Sequence, residues 1–222
     1  DTNRWIFEVL APDIRVRRKM KTLKESIHWQ WTDLIAQSLQ EIHARGRTRE
    51  EIEHTLRQMP SHPAMVHGVT NLKGASNPST TFFCLSNANS VFINTMIHER
   101  QKINNPEEDH PARLLKLRRR DDPDGPQHSC TVGCSPNMCK CEELAAFLER
   151  HKPGYDRIIY VGDGSNDFCP ILRLRSQDMV LCRRFRGLEG RISREGGQQC
   201  QVKYWAGAWE VEEIFNQFIE KN

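Results

Sequence analysis

The sequence predicts an α/β protein built on a parallel sheet, and three observations carry that prediction. Short runs rich in β-branched and aromatic residues, such as IIYV at 158–161 and DMVLCRR at 178–184, alternate with amphipathic helical patterns. The first run passes into a glycine-punctuated loop that carries two carboxylates, Asp163 and Asp167. An all-helical block precedes these strands, which indicates an inserted cap on an α/β core.

The helical block comes first along the chain. Between residues 24 and 45, apolar side chains recur at helical spacing, and Gly46 stands where a helix ends. Thr48 and Glu51 have the spacing of a capping box at the start of a second helix. Because no strand pattern interrupts these helices, residues 15–62 are predicted to form a small helical cap.

The rest of the chain is predicted to divide into a short leading segment, residues 1–14, and the α/β core, residues 63–222. Polar residues dominate 101–127 and indicate a solvated loop there. Periodicity predicts the remaining core elements as a strand at TTFFCLSN (80–87), a helix at ANSVFINTMIHER (88–100), a helix at CEELAAFLERH (141–151), a strand or strand end at KYWAG (203–207) and a helix at WEVEEIFNQFIEK (209–221).

The composition excludes several classes of partner. Of the 222 residues, 37% are hydrophobic and 27% are charged, which is typical of a soluble globular protein. The net charge of +3 is too small to favour nucleic acid as a partner. No apolar run approaches the ~18 residues of a membrane span, and the first residues do not form a signal peptide. We therefore expect a cytoplasmic protein, in which the eight cysteines stay reduced.

Four of the cysteines are crowded into one short segment. Cys130, Cys134, Cys139 and Cys141 follow His128 in HSCTVGCSPNMCKC. Such a cluster suits zinc, but its CxxxC and CxC spacings differ from the paired CxxC of common zinc sites. Free or structural thiols are therefore the favoured interpretation, and zinc is the alternative.

Polar residues with phosphate-site chemistry follow predicted strands or precede predicted helices. The hydroxyl of Ser86, between a strand and a helix, is placed to hold a phosphate oxygen. Lys140 precedes a helix and supplies a positive charge of the kind that phosphoryl-transfer sites use. Asp163 and Asp167 offer the hard oxygen ligands that Mg²⁺ prefers. Taken singly, each has a structural interpretation as a cap or a solvated side chain, whereas their order along three successive segments favours a site.

These motifs together resemble those of the haloacid dehalogenase (HAD) superfamily of Mg²⁺-dependent phosphatases. Within it, the sequences LSNANSVFI, HSCTVGCSPNMCK and YVGDGSNDFCP resemble the branch that acts on phosphoethanolamine, phosphocholine and pyridoxal phosphate. The resemblance covers nearly the whole chain. It implies a Rossmann-like core with a parallel sheet, a helical cap near the N-terminus, Mg²⁺ as the cofactor and a small phosphorylated metabolite as the substrate.

The resemblance also assigns roles to individual residues. It implies that Ser86, with Asn87 beside it, binds the phosphate, and that Lys140 steadies both the phosphate and the nucleophile. It implies that Asp163 supplies the Mg²⁺ carboxylate. Asp167 is expected to belong to the metal site and to position the lysine and a water molecule.

One family motif is absent from these 222 residues. The family begins with a strand ending in DxDxT, whose first Asp is the nucleophile and whose second is the general acid–base; no DxDxT occurs here. DTNRW at residues 1–5 resembles the segment just beyond that motif. The expectation is a sheet without its first, central strand and a chain that is inactive or unstable as it stands. A catalytically dead phosphate-binding protein is the alternative, and a zinc-binding interaction module is a third interpretation.

Two further departures bear on the substrate. Relatives that accept amines resemble LSDAN at the second motif, where this chain has Asn87, and carry an acidic residue near the position of Asn3. A cationic choline or ethanolamine head group is attracted by a nearby carboxylate. With both positions neutral, the sequence predicts a neutral or anionic phosphomonoester rather than phosphocholine.

Overall fold

The computed structural model describes residues 2–13, 31–75, 79–100, 128–134 and 138–220. The chain divides into two compact units, each of which is described by itself. The first unit contains Asp1–Ser61 and Ser86–Gly125, and the second contains His62–Leu85 and Pro126–Asn222.

Helices outnumber strands among the described residues. The strands are β1 (Ile159–Gly162), β2 (Met179–Arg183) and β3 (Gln201–Trp205). The helices are α1 (Thr2–Leu10), α2 (Trp31–Ala44), α3 (Arg49–Arg57), α4 (Pro63–Gly74), α5 (Ser90–Ile93, continued by a π-helix at Asn94–Arg100), α6 (Lys140–Arg150), α7 (Phe168–Ile171, preceded by a 3₁₀ turn at Ser165–Asp167), α8 (Gly187–Glu195) and α9 (Ala208–Glu220).

The first unit is helical and has its own apolar core. The predicted capping box is present, since the Thr48 hydroxyl accepts the Glu51 N–H at 3.3 Å and the Glu51 carboxylate accepts the Thr48 N–H at 2.8 Å. Gly46 has a positive φ of 83°, which suits its predicted place at the end of α2. The core residues come from α1, α2, α3 and α5 and the segments that join them: Ile6, Phe7, Ala11, Ile35, Ile42, Leu56, Phe92 and Met96.

The second unit contains a parallel three-stranded sheet in the order β1-β2-β3. Met179 of β2 is paired with Ile159 of β1 and with Gln201 of β3. Successive residues of β2 point to opposite faces, so Val180 joins the core beneath α6 and α8, whereas Leu181 joins the core beneath α4 and α9. A parallel sheet covered by helices on both faces confirms the predicted α/β class.

One predicted strand is wrong. Residues 80–87 contain no strand in the described structure, and most of them are half-buried rather than buried. They pack through side chains instead: the Phe83 ring stacks on that of Phe147 with centroids 3.9 Å apart, and Leu85 packs against the core next to α6 and α8. An apolar run predicts burial, but a strand also needs a neighbour to pair with, and among the described strands β1 pairs with β2 alone.

Several predictions fall partly or wholly outside the described residues. The helix predicted over 24–45 is confirmed at Trp31–Ala44, and its first residues are not described. The polar segment 101–127 is likewise outside the description. Across the residues that are described, no helix has the length and apolar character that crossing a membrane requires.

Candidate active site

The loop after β1 is organised around one buried carboxylate. β1 ends at Gly162, and the 3₁₀ turn that follows carries Asp167 back beneath the strand end. The Asp167 Oδ2 atom accepts the backbone N–H groups of Asp163 at 3.0 Å and of Gly164 at 2.9 Å. A Cβ atom on Gly162 would lie 2.9 Å from the Asp167 Cβ, so the strand can end this close to the carboxylate only with glycine there.

The other oxygen of Asp167 binds two side chains. Oδ1 accepts the Lys140 ammonium at 2.6 Å and the Tyr160 hydroxyl at 2.8 Å. Asp167 is 4% exposed and Lys140 is 8% exposed, so this is a buried ion pair, and its carboxylate accepts four hydrogen bonds in all. Burial and the neighbouring Asp167 charge raise the pKa of Tyr160, which keeps its hydroxyl protonated as a donor. The structure therefore brings together Lys140 and Asp167, both predicted from the sequence.

Asp163 stands in the opposite environment from Asp167. It follows β1 directly, at the carboxyl end of the sheet, and it is exposed. Its backbone carbonyl accepts the Leu188 N–H at 3.1 Å, which fixes the main chain. Its carboxylate has no hydrogen bond or ion pair to any described residue, which leaves a hard oxygen donor open to a cation. This donor suits Mg²⁺, which keeps several waters and needs only one or two protein carboxylates.

The other predicted substrate residues lie in the first unit. The Ser86 hydroxyl accepts the Ala88 N–H at 3.1 Å in a local turn just before α5, and both Ser86 and Asn87 are half-buried. Asn3 lies in α1 and is 7% exposed, and its Oδ1 atom has no hydrogen-bond partner within the described parts of the chain.

The cysteine cluster differs in one member from the predicted set. Cys130, Cys134 and Cys139 do come together, but the fourth sulfur is that of Cys169, immediately after the Asp167 turn. Cys141 points elsewhere, and its sulfur accepts the Nε–H of Arg173 at 3.1 Å. Cys139 and Cys141 are two residues apart at the start of a helix, where such residues project in different directions.

Sequence reasoning missed two side chains that organise this region. The sequence pattern predicts Tyr160 only as a strand residue. Its hydroxyl, in an otherwise apolar run, indicates that it has a buried hydrogen-bond partner. Arg191 donates to the carbonyls of Val132 at 2.8 Å and Ser165 at 3.2 Å, and its guanidinium lies 4.4 Å from the Phe168 ring centroid. Arg191 also pairs with Glu195 one helical turn away, at 2.6 Å. No sequence motif marks its other two contacts, because they are made to main-chain atoms of distant segments.

Comparisons with known proteins identify the family of this chain. The family model "Putative Phosphatase" matches residues 1–219. Inorganic pyrophosphatase 1 of Arabidopsis thaliana is 31% identical over 195 residues, which cover 83% of this chain and 62% of that protein. Inorganic pyrophosphatase 2 of the same plant is 28% identical over 233 residues, covering 100% of this chain and 79% of that protein. Pyridoxal phosphate phosphatase PHOSPHO2 of Bos taurus is 28% identical over 207 residues, covering 87% and 80%. No solved structure matches the chain.

The fold and the family match define the class of this chain, a HAD-like α/β protein. Within that class, the chain belongs to the PHOSPHO-type phosphatase family, whose model covers it almost from end to end. The chain spans 62% of the length of the first relative named above.

Proposed function

We propose that this chain carries the metal-binding and phosphate-binding residues of a Mg²⁺-dependent phosphatase that acts on a small phosphorylated metabolite. The observation that supports this most is the pairing of a buried Lys140–Asp167 ion pair with the open carboxylate of Asp163, all around the carboxyl end of β1. Open α/β sheets bind ligands at that edge. A positive lysine and a metal bound by a carboxylate are what a phosphate dianion needs.

The proposed roles follow from the contacts of each side chain. Asp167 is a positioning residue, since its two oxygens already accept four hydrogen bonds and hold the Lys140 ammonium in place. Lys140 offers its remaining N–H groups to the phosphate, and Asp163 holds the Mg²⁺. When bound, Mg²⁺ neutralises charge on the phosphate oxygens as it develops. Ser86 and Asn87 are proposed to bind phosphate through a hydroxyl and an amide.

The chemical step of the proposed reaction needs an Asp nucleophile that these 222 residues do not contain in a DxDxT motif. A HAD phosphatase transfers the phosphoryl group to that Asp, and water then releases it. We therefore propose that the 222-residue chain binds phosphate but does not turn over phosphate esters by this route.

The proposed substrate is a neutral or anionic phosphorylated metabolite rather than phosphocholine. Asn3 and Asn87 stand where amine-accepting relatives are expected to carry acidic residues, so neither position attracts a cationic head group. The names of the relatives, which include two inorganic pyrophosphatases and a pyridoxal phosphate phosphatase, support an anionic substrate. The proposed setting is the cytoplasm, where the eight free thiols stay reduced.

A second candidate is a catalytically dead phosphatase that binds a phosphate ligand. The observation that favours it is the same one: Lys140, Asp167 and Asp163 are all in place, whereas a DxDxT sequence does not occur among the 222 residues.

The test is hydrolysis of pyrophosphate, pyridoxal phosphate, p-nitrophenyl phosphate and phosphocholine, each with and without Mg²⁺. Two proteins are compared: the 222-residue chain, and a longer version in which a strand ending in DFDxT precedes Asp1. We expect Mg²⁺-dependent turnover from the longer version alone. Turnover by the shorter chain would overturn the assigned nucleophile, a preference for phosphocholine would overturn the proposed substrate, and phosphate binding without turnover in both would favour the second candidate.

A further inference from the structure

Four cysteine sulfurs of the second unit lie in mutual contact. The Sγ–Sγ distances are 3.6 Å between Cys130 and Cys134, 3.8 Å between Cys134 and Cys139, 3.7 Å between Cys139 and Cys169, and 3.4 Å between Cys169 and Cys130. All four sulfur atoms lie within 4.8 Å of one another. Three separate segments supply them: the loop at 128–134, the N-cap of α6 and the start of α7.

These distances match a tetrahedral metal site. Zinc bound by four thiolates has Zn–S bonds of about 2.3 Å, and the edge of that tetrahedron is about 3.8 Å. A disulfide requires an S–S distance of about 2.0 Å, so none of the four pairs is a disulfide in this arrangement. We propose that four cysteines hold one Zn²⁺ ion in a closed structural site: Cys130, Cys134, Cys139 and Cys169.

The surroundings of the cluster suit thiolates rather than a plain apolar core. The Cys130 sulfur accepts the Val132 N–H at 3.4 Å. Cys139 is the N-cap of the 11-residue helix α6, whose N-terminus favours negative charge. The guanidinium of Arg191 is held against the same loop through the Val132 carbonyl. Contacts of this kind hold the loop and orient metal ligands.

The accessibility of the sulfurs also fits a metal that is bound during folding and then retained. Cys139 and Cys169 are each 3% exposed, whereas Cys130 and Cys134 are half-buried. The half-buried Cys130 and Cys134 therefore leave a path by which a metal ion can enter from the side of the 128–134 loop. Little else fills this small core, because apart from Cys141 its only other apolar member is Val132 among the described residues.

The proposed zinc site braces the phosphate site without belonging to it. Cys139 immediately precedes Lys140, and Cys169 lies two residues after Asp167. A single ion bound to both cysteines therefore fixes the two main-chain segments whose side chains form the buried ion pair. This inference does not depend on the proposed reaction, because its test measures metal and not turnover.

The experiment uses the 222-residue chain purified under reducing conditions without chelators. Its metal content is measured by inductively coupled plasma mass spectrometry, and the ligand shell by X-ray absorption at the zinc edge. We expect about one zinc per chain, with four sulfur ligands at about 2.3 Å. Zinc-free protein, iron in place of zinc, or a shell that contains nitrogen or oxygen would each overturn the proposal.

A pair of serine variants tests which cysteines take part. Cys169→Ser is expected to lose most of the bound zinc, whereas Cys141→Ser, at a buried cysteine close by but outside the four-sulfur cluster, is expected to keep it. Equal zinc content in the two variants would contradict the assignment. If Cys169→Ser fails to fold, the absorption spectrum of the unaltered chain reloaded with Co²⁺ decides: tetrahedral thiolate bands support the site, and an octahedral spectrum overturns it.

Discussion

The two loops that carry the predicted phosphate-site residues are held in place by different amounts of hydrogen bonding. In the loop after β1, the buried carboxylate of Asp167 accepts four hydrogen bonds, from two side chains and two main-chain N–H groups. In the loop before α5, the half-buried hydroxyl of Ser86 accepts one, from Ala88. The first loop is therefore part of the folded core, whereas the second is a local turn. Substitutions should cost mainly stability in the first loop and mainly ligand affinity in the second.

The largest expected effect comes from removing the cation beside Asp167. Lys140→Met leaves a buried carboxylate without its charge partner, and we expect it to lower the free energy of unfolding by about 3–5 kcal/mol. Urea denaturation followed by circular dichroism measures this. Lys152→Met is the matched control, because the Lys152–Glu149 pair is exposed and contributes little. Similar losses in the two variants would show that the Asp167 network does not stabilise the core.

A smaller effect is expected where the strand end approaches that carboxylate. In Gly162→Ala, the new Cβ would lie 2.9 Å from the Asp167 Cβ and 3.0 Å from the Tyr160 ring. Because both neighbours are packed, we expect a loss of about 1–3 kcal/mol in the free energy of unfolding. Gly74→Ala, where a Cβ would meet nothing within 4 Å, is the control. Thermal denaturation of both variants measures this difference. Equal midpoints of unfolding for the two variants would contradict the close packing of this loop.

A third prediction concerns acid and a second buried carboxylate of the same unit. Burial raises the pKa of Asp178. Hydrogen bonds from the Arg175 guanidinium and from the N–H groups of Arg175 and Ile158 lower it by more, so the pKa lies below its usual 3.8. The stabilisation is therefore fully present above pH 3.8 and is lost as the pH falls through the lower pKa of the folded state.

The test of this acid effect is chemical denaturation from pH 6 down to about pH 2. We expect Asp178→Asn to be less stable than the unaltered chain at neutral pH and to lose less further stability in acid. Parallel pH profiles for the two proteins would mean that Asp178 is not the group responsible.

The smallest effect on stability is expected in the second loop. Ser86→Ala removes one hydrogen bond in a half-buried turn, so we expect a loss of about 0.5–1.5 kcal/mol at most. If the hydroxyl also donates to phosphate, as proposed, the affinity for orthophosphate falls by about tenfold, which is the worth of one hydrogen bond to a charged group. Ser86→Thr keeps the hydroxyl and should keep the affinity, as measured by calorimetry. If Ser86→Ala lost more stability than Gly162→Ala, the loop before α5 would be the more important of the two for the fold, contrary to our expectation.

Much of the fold was predictable because its signals are local. The three strands, the capping box at Thr48 and Glu51 and the closing helix α9 follow from periodicity and capping chemistry alone. Helix α4 was not predicted, because its sequence, PAMVHGVTNLKG, has a weak apolar stripe and an internal glycine. Its position depends on packing instead: at Gly68 a Cβ would lie 3.0 Å from the Glu212 Cα in α9. The apolar run at 80–87 predicted a buried strand, but most of its residues are only half-buried, and the run could not reveal whether a pairing strand lay beside it.

The candidate site likewise has features that could be predicted from the sequence and features that could not. The family resemblance implied that Asp167 positions Lys140, and the two side chains lie 2.6 Å apart in the structure. The sequence could not show that Asp167 is saturated by hydrogen bonds while Asp163 is open, because that difference depends on how the loop folds back. Nor could spacing show that Cys169 completes the cluster in place of Cys141, since Cys169 is 30 residues further along the chain than Cys139.

The central claim is that the open carboxylate of Asp163 holds Mg²⁺ next to a preorganised Lys140. Its most direct test is calorimetric titration of orthophosphate into the 222-residue chain, with and without Mg²⁺, and into the variant Asp163→Asn. We predict that Mg²⁺ strengthens phosphate binding to the unaltered chain and has no effect on the variant, while the two proteins unfold at similar temperatures. Mg²⁺-enhanced phosphate binding that survives in Asp163→Asn would contradict the account.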